Sequence, residues 1–527
     1  LAGDFFGYLA REFPTLCRHD EFMFFPRAAV PPVYWWQAPR LEAAAIQAAA
    51  HRVTAWQTRL TGLLPQIKDP ATAGEAVLLR HSLASVSREL GPDGPWARDP
   101  FFYLKVAALA WAPILAGAPR LEPRDAEKLG ELLAQVARMF QWAPEQIQAL
   151  NLPTQVLSGG AFADTRRFFD EVLPGFLEAR GFTGKTLRRG LSEVSQKLLR
   201  FWEKVAALPV IAPYRRGEEG LLEILTQSWG WDRDLDAAGE ILATEIAICQ
   251  AALADAGAGI NPHVTWAEAL EGLPLPAHRG DLLSLYRREI KRLWAFWSHS
   301  PVLEPPQGRV EVAATPLYLR SLRSSASYAA AWGPPHQTPG YFYVSPDMED
   351  RAHHLRHCPF LSAHETVPGH HFLDTLRLSL PGVVARQYES PLYYEGWACY
   401  AETLLLSEGY LVHENPGDLL VGWQRRLWRA LRGRVDLELH RGRWDLEEGC
   451  RRLDRAGYPE GASRPQVLQL ALNPGYQLCY TLGLREILRL REEYAPSLGL
   501  ARFHDVLLGG GQLPFPWVEK RLKAQNV

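Results

Sequence analysis

Apolar residues recur at three- and four-residue spacing along most of this chain, with charged positions between them, the signature of helices that bury one face. The stretch Leu41–Leu64 is rich in Ala and Leu with that period, and Gly91-Pro-Asp-Gly-Pro95 further on is a helix breaker. The same spacing runs through Leu187–Leu208, Glu218–Ala254 and Leu282–Trp297. Strands and helices do not alternate here, which argues against a doubly wound sheet.

Between about 298 and 344 the pattern changes. Arg309-Val-Glu-Val-Ala313, Ser327-Tyr-Ala-Ala330 and Tyr341-Phe-Tyr-Val344 read as short extended runs among Pro and Gly. They predict a small antiparallel sheet. Beyond Pro359 the helical period returns, through Tyr394–Ser407, Asp418–Leu439, Trp444–Leu453 and Tyr476–Glu492. The expected fold is mainly α, in two regions: 1–300, a helical body, and 301–527, which holds the sheet and the chemistry. No internal repeat or low-complexity segment interrupts this.

Composition narrows the function classes. Lys plus Arg total 57 against 59 Asp plus Glu, so no basic field exists to gather nucleic acid, and none is expected as a partner. The six cysteines lack any Cys-x-x-Cys pair, which argues against a disulfide framework or a thiolate zinc site and favours a reducing, cytoplasmic compartment. The apolar run Val106–Pro119 is interrupted by Pro113 and falls short of the roughly 20 residues that cross a bilayer, so no membrane span is expected. Leu1-Ala-Gly-Asp carries neither an initiator Met nor a signal-peptide pattern, and export of the full-length product stays open. The oligomeric state is not legible.

The chemistry concentrates in Ala363-His-Glu-Thr-Val-Pro-Gly-His-His371, a stretched form of the His-Glu-x-x-His signature in which two imidazoles one turn apart meet one zinc ion and the Glu polarises its water. Pro368 stands where the second ligand would be. On an ideal helix His371 would share the face of His364 and His370 would be rotated away, but Pro368 and Gly369 predict a kinked or widened turn that brings His370 back. Either His370 or His371 is thus the second ligand. A third comes from Tyr393-Tyr-Glu-Gly-Trp-Ala-Cys-Tyr-Ala-Glu402, where Glu395 and Glu402 lie two turns apart on one helical face. One carboxylate is placed to bind metal and the other to orient an imidazole.

Together, His364-Glu-x-x-Pro-Gly-His-His371 and Glu395-Gly-Trp-Ala-x-Tyr-Ala-Glu402 resemble the bacterial family called domain of unknown function 885, whose members look like divergent gluzincin metallopeptidases. The resemblance runs from about Pro213 to Arg491. It implies a zincin-like, largely helical body split by a cleft, with residues 1–300 as one wall and the sheet beside the active site. It also implies His364, His370 or His371, and Glu395 as zinc ligands and Glu365 as general base, which leaves Glu402 as the carboxylate that orients an imidazole. Pro474-Gly-x-x-x-x-Tyr480-x-x-Gly483 fits the same pattern, and Tyr480 or His371 is the expected donor to an oxyanion. The chain departs from the family at 476, where Tyr replaces a frequent Gln and Gln477 follows.

Two further expectations concern substrate and metal. Tyr341 and Tyr343 would bind an extended peptide as an added strand at a sheet edge, with Asp347, Glu349 and Asp350 following as an acidic loop. His353, His354 and His357 offer a competing metal cluster, but no Glu adjoins them, and they read as a surface turn or gating loop. The expected activity is zinc-dependent hydrolysis of short peptides, of exopeptidase, carboxypeptidase or oligopeptidase type. The alternatives are a catalytically silent binding protein on the same body, and a non-peptide metal hydrolase or non-haem iron enzyme, since two His and one carboxylate also suit Fe(II).

Overall fold

The computed structural model describes residues 1–117, 120–320, 322–323, 325–330, 338–347, 350–411, 416–457 and 461–525. The chain is mainly α and divides into two compact units, Leu1–Tyr214 with Thr315–Arg323, and Arg215–Ala314 with Ser324–Val527. The helices between 215 and 300, grouped by their pattern with the N-terminal region, therefore pack with the second unit.

In the first unit Ala43–Leu63 packs on Pro70–Glu89 and Ala126–Trp142 on Lys185–Ala206. Their starts follow from capping chemistry. Asp69 accepts the amide proton of Thr72, and Asn151 that of Thr154 before the helix Leu152–Arg167.

The second unit carries the candidate site. Its long helices are α1 (Leu235–Ile260), α2 (Leu282–Trp297), α3 (Arg351–Glu365), α4 (His370–Ser379), α5 (Pro391–Ser407), α6 (Pro416–His440) and α7 (Tyr476–Leu498). The helical pattern from Glu218 to Ala254 proves to be broken. Gly230 adopts positive φ between Ser228 and Asp234, and the Asp234 carboxylate then caps α1 by accepting from Ala237. By length and composition α1 is apolar enough to cross a membrane, although no single apolar run in the sequence is that long. Here it lies along α6, with Leu242 on Gly433 and Gly239 against Leu437, and its fully buried Glu245 accepts from Arg426.

Three strands, β1 (Val310–Ala314), β2 (Ala326–Ala329) and β3 (Gly340–Val344), form a sheet in the order β1-β3-β2. β1 runs parallel to β3 and β2 antiparallel, so the sheet is mixed rather than wholly antiparallel. Val312, Ala326, Phe342 and Val344 face a core shared with α2 and α3, including Leu285, Tyr286, Ile290 and Leu355. The topology corrects one expectation. β3 is the central strand, with both hydrogen-bonding edges already paired, so Tyr341 and Tyr343 cannot receive a peptide as an added strand. Their rings instead stack on each other, 5.5 Å between centroids and 6° from parallel.

Candidate metal centre

The segment that carries His364 and His370 is two helices with a break between them. α3 ends at Glu365, the chain turns through Thr366–Gly369, and α4 starts afresh at His370. Pro368, which follows a cis peptide bond, has no amide to continue the ladder, and the Pro368 carbonyl is pinned by the indole N–H of Trp397 at 2.8 Å. Gly369 is obligatory, since a Cβ there would lie 1.9 Å from the His364 carbonyl oxygen. This is the widened turn that the Pro-Gly pair predicts. It returns His370, and not His371, to the face of His364, because successive residues on the restarted helix point about 100° apart.

The third group comes from α5, and its placement depends on α5 crossing α7 at close range. A Cβ on Gly396 would sit 2.6 Å from the backbone of Gly483, and one on Gly483 would sit 2.1 Å from the Leu392 carbonyl oxygen. Only glycine at both positions lets the two helices touch. The crossing sets Glu395 opposite the start of α7, which Asp436 caps by accepting from the amides of Gly475 and Gln477 at 2.9 and 3.0 Å. Tyr476, the first residue of α7, donates its phenol proton to Glu395 Oε1 at 2.5 Å.

His364, His370 and Glu395 thereby come together, with one ligand atom from each lying within 4.8 Å of the others; all three are buried. Glu395 Oε2 is 3.4 Å from His364 Nε2 and 3.5 Å from His370 Nε2, and it accepts no hydrogen bond from either. A buried carboxylate oxygen facing two imidazole nitrogens at contact distance without bonding them could serve as the donor set of a divalent cation, and the residue types fit zinc. Among the described residues no other group of three His, Cys, Asp or Glu converges in this way.

The polar residues behind the cluster hold it in place. His364 Nδ1 lies 2.9 Å from Glu402 Oε1, so it carries the proton and leaves Nε2 as a lone pair aimed at the cluster. Glu402 is buried and gripped from α6 by Arg425, through Nε and Nη2 at 2.8 and 2.9 Å, and by Arg429, through Nη1 and Nη2 at 3.0 and 2.6 Å. Burial works against its charge, yet Arg425 and then Arg429 hold its carboxyl well below the usual range. Glu395 likewise stays ionised against burial because of His370 and His364. Burial also opposes protonation of His370, but Glu395 carries its pKa up to about 9. The Tyr394 ring stacks on His370 at 4.0 Å and fixes its plane.

Glu365 is half-buried one residue beyond His364, and its Oε2 accepts the Tyr328 backbone amide of β2 at 2.9 Å. His371 does not face the cluster. Its Nε2 lies 3.1 Å from the Gln307 carbonyl and so must donate, which leaves Nδ1 to accept from the Tyr328 hydroxyl at 3.3 Å. Burial pushes its pKa down to about 4. His371 therefore has both ring nitrogens engaged and none turned to an oxyanion, contrary to expectation; the ring braces Tyr328. Tyr480 lies over His364, nearly parallel at 6.3 Å, and edge-on to Tyr476 at 5.7 Å. Burial, followed by the Glu395 charge, keeps the Tyr480 phenol protonated.

Arg425, Arg429, Tyr328, Tyr394 and Tyr476 carry roles that the sequence reading did not assign. The histidines at 353, 354 and 357 also differ from expectation. They lie in the first turns of α3, which Asp350 caps by accepting from His353, and not in a surface turn. His354 is fully buried and shares a hydrogen bond with Tyr286 at 2.9 Å, while His353 and His357 stack at 4.1 Å, a geometry that cannot chelate one ion. Glu349, in the expected acidic loop, lies outside the described residues.

The model of the bacterial protein family of unknown function DUF885 matches residues 36–522. Two solved structures are similar to the chain in fold. One is the crystal structure of "the putative lipoprotein from Colwellia psychrerythraea", at 19% identity and a TM-score of 0.74, covering 100% of this chain and 98% of the other. The second is "a putative lipoprotein of unknown function from Shewanella oneidensis", at 19% identity and a TM-score of 0.70, covering 98% of each chain. No curated protein sequence matches the chain.

Proposed function

The chain belongs to the DUF885 family, and we propose that it is a gluzincin-like metallopeptidase that hydrolyses short peptides with one zinc ion held by His364, His370 and Glu395. The observation that carries this reading is the convergence of those three ligand atoms on an unbonded Glu395 oxygen, with a second carboxylate, Glu365, on the residue after His364. Zinc bound there supplies Lewis acidity toward a carbonyl oxygen and toward water. The remaining roles fall to the chain. Glu365, oriented by the Tyr328 amide on one oxygen, takes the proton from the attacking water and passes it to the leaving amine. Tyr480, kept protonated, is the hydroxyl available to a developing oxyanion. Glu402 keeps the His364 lone pair pointed inward.

The adjacent Glu separates this reading from a non-haem iron site, which needs two His and a carboxylate but no base beside the first His. Both structural neighbours are called lipoproteins, which supports export over the cytoplasmic expectation, and fractionation of the full-length product distinguishes the two.

The test combines metal analysis with digestion of a peptide library. Purified protein should hold one zinc per chain and cut peptides, and Glu365→Gln should keep the metal while losing at least about 10²-fold in rate. Loaded protein that cuts no peptide would end the peptidase reading. Wild-type turnover by Glu365→Gln would move the base elsewhere.

A further inference from the structure

α1, α6 and α7 enclose an open groove of about 580 Å³, a volume in the range of small-molecule sites. Three guanidinium groups line it, from Arg426, Arg485 and Arg491. Their surroundings differ. Arg426 is matched, since it donates to the buried Glu245 at 2.8 Å and lies over the Trp423 ring at 4.4 Å. Arg485 comes only within 3.7 Å of the other Glu245 oxygen, and Arg491 only within 3.7 Å of Glu408, with its guanidinium over the Tyr400 ring at 5.6 Å. Neither reaches a carboxylate at hydrogen-bond distance. Both remain partly open, with 34% and 26% of the side chain exposed.

The walls beside these two arginines are apolar, formed by Ile248, Trp423 and Leu488, and Ile248 is 36% exposed. One acidic residue, Glu492, stands on the exposed rim of α7 and favours a ligand of low charge over a polyanion. Arg485 and Arg491 are six residues apart on one helix, about 9 Å along its axis, with Leu488 midway between them. An oxyanion taken by either guanidinium thus has an apolar body next to it, and the fork of donors suits a carboxylate or a phosphate monoester.

We propose that this groove binds an amphiphilic anion, with a carboxylate or phosphate head group on Arg485 and Arg491 and an apolar body against Trp423, Leu488 and Ile248. None of these residues belongs to the metal cluster, so the site stands or falls independently of the peptidase reading.

Calorimetric titration of the full chain tests it with octanoate, octyl phosphate, octanol, acetate and inorganic phosphate. Octanoate or octyl phosphate should bind, and which of the two binds more tightly identifies the head group. Octanol, acetate and inorganic phosphate should each bind at least tenfold more weakly, because each lacks one half of the ligand. Arg485→Gln and Arg491→Gln should each weaken the amphiphile by about tenfold. Leu488→Glu, which puts a carboxylate in the groove and leaves both arginines in place, should abolish binding without lowering the melting temperature. The proposal is overturned if neither amphiphile binds at millimolar concentration, if octanol matches octanoate, or if all three variants bind as the wild type does.

Discussion

Glu402→Gln tests the claim that the ion network behind His364 builds the centre. Five contacts converge on this buried carboxylate, four from the guanidinia of Arg425 and Arg429 at 2.6–3.0 Å and one from His364 Nδ1 at 2.9 Å. The amide keeps the shape but carries no charge, and its NH₂ group must face a guanidinium or the His364 N–H, donor against donor. Removing one partner of a buried ion pair costs about 3–5 kcal/mol, because the remaining charge is left uncompensated. Losing the carboxylate that orients a ligating imidazole costs about 10–100-fold in metal affinity. Urea unfolding of the metal-free protein reads the first quantity. Competition against a fluorescent zinc chelator, at a temperature where both proteins are folded, reads the second. If Glu402→Gln unfolds within about 0.5 kcal/mol of the wild type and holds zinc equally well, the network is incidental and the alignment of His364 has another cause.

Gly396→Ala should destabilise by about 1–3 kcal/mol, since its Cβ falls 2.6 Å from the Gly483 backbone, whereas Gly160→Ala, mid-helix with open space around it, should stabilise by about 0.5–1 kcal/mol; a denaturant titration that ranks them the other way would refute the close crossing of α5 and α7. Arg18 is buried in the first unit, none of its three guanidinium nitrogens has a hydrogen-bond partner, and burial pushes its pKa down to about 9. Arg18→Met should therefore raise the melting temperature by the equivalent of about 1 kcal/mol or more, and a fall would show that the charge is compensated. His370, with its folded pKa raised to about 9, adds stability to the metal-free protein that is fully present below about pH 6.5 and lost as pH rises through 9. Zinc binding at pH 7 should accordingly release about one proton from His370, measured by calorimetry in buffers of different ionisation enthalpy; no proton release would place His370 outside the cluster or leave it neutral.

Helix content and the two segments that supply the His364, His370 and Glu395 cluster were legible because both are written locally. The apolar period gives α2 as Leu282–Trp297, the bounds that the structure shows, and the residues Pro368 and Gly369 announce the break between α3 and α4. The choice between His370 and His371 was not legible. It depends on where α4 restarts, which the Trp397 bond to the Pro368 carbonyl helps to fix from 29 residues away. Arg425 and Arg429 share a helical face by their four-residue spacing, but nothing in α6 states that this face meets Glu402. The central position of β3 was hidden for the same reason, since strand order follows from pairing and not from the runs themselves. Asp350 is the missed local signal: a capping residue directly before Arg351-Ala-His-His assigns those histidines to a helix.

The charges around the cluster explain why a proton and a divalent cation compete for one place. Arg425 and Arg429 against Glu402 leave one positive charge behind His364, and Glu395 with Glu365 place two negative charges in front of it. One negative charge therefore remains in a buried site, where an unbalanced charge is costly. A proton on His370 cancels it, which is why Glu395 lifts that imidazole against the cost of burial. A divalent cation in place of that proton would turn the remaining negative charge into one positive charge, with the Glu365 carboxylate, anchored through one oxygen to Tyr328, already part of the sum. Without Arg425 and Arg429 the three carboxylates would outweigh a divalent cation by one charge. The arginines of α6 therefore do more than fix His364: they set the sign of the charge left once a cation binds.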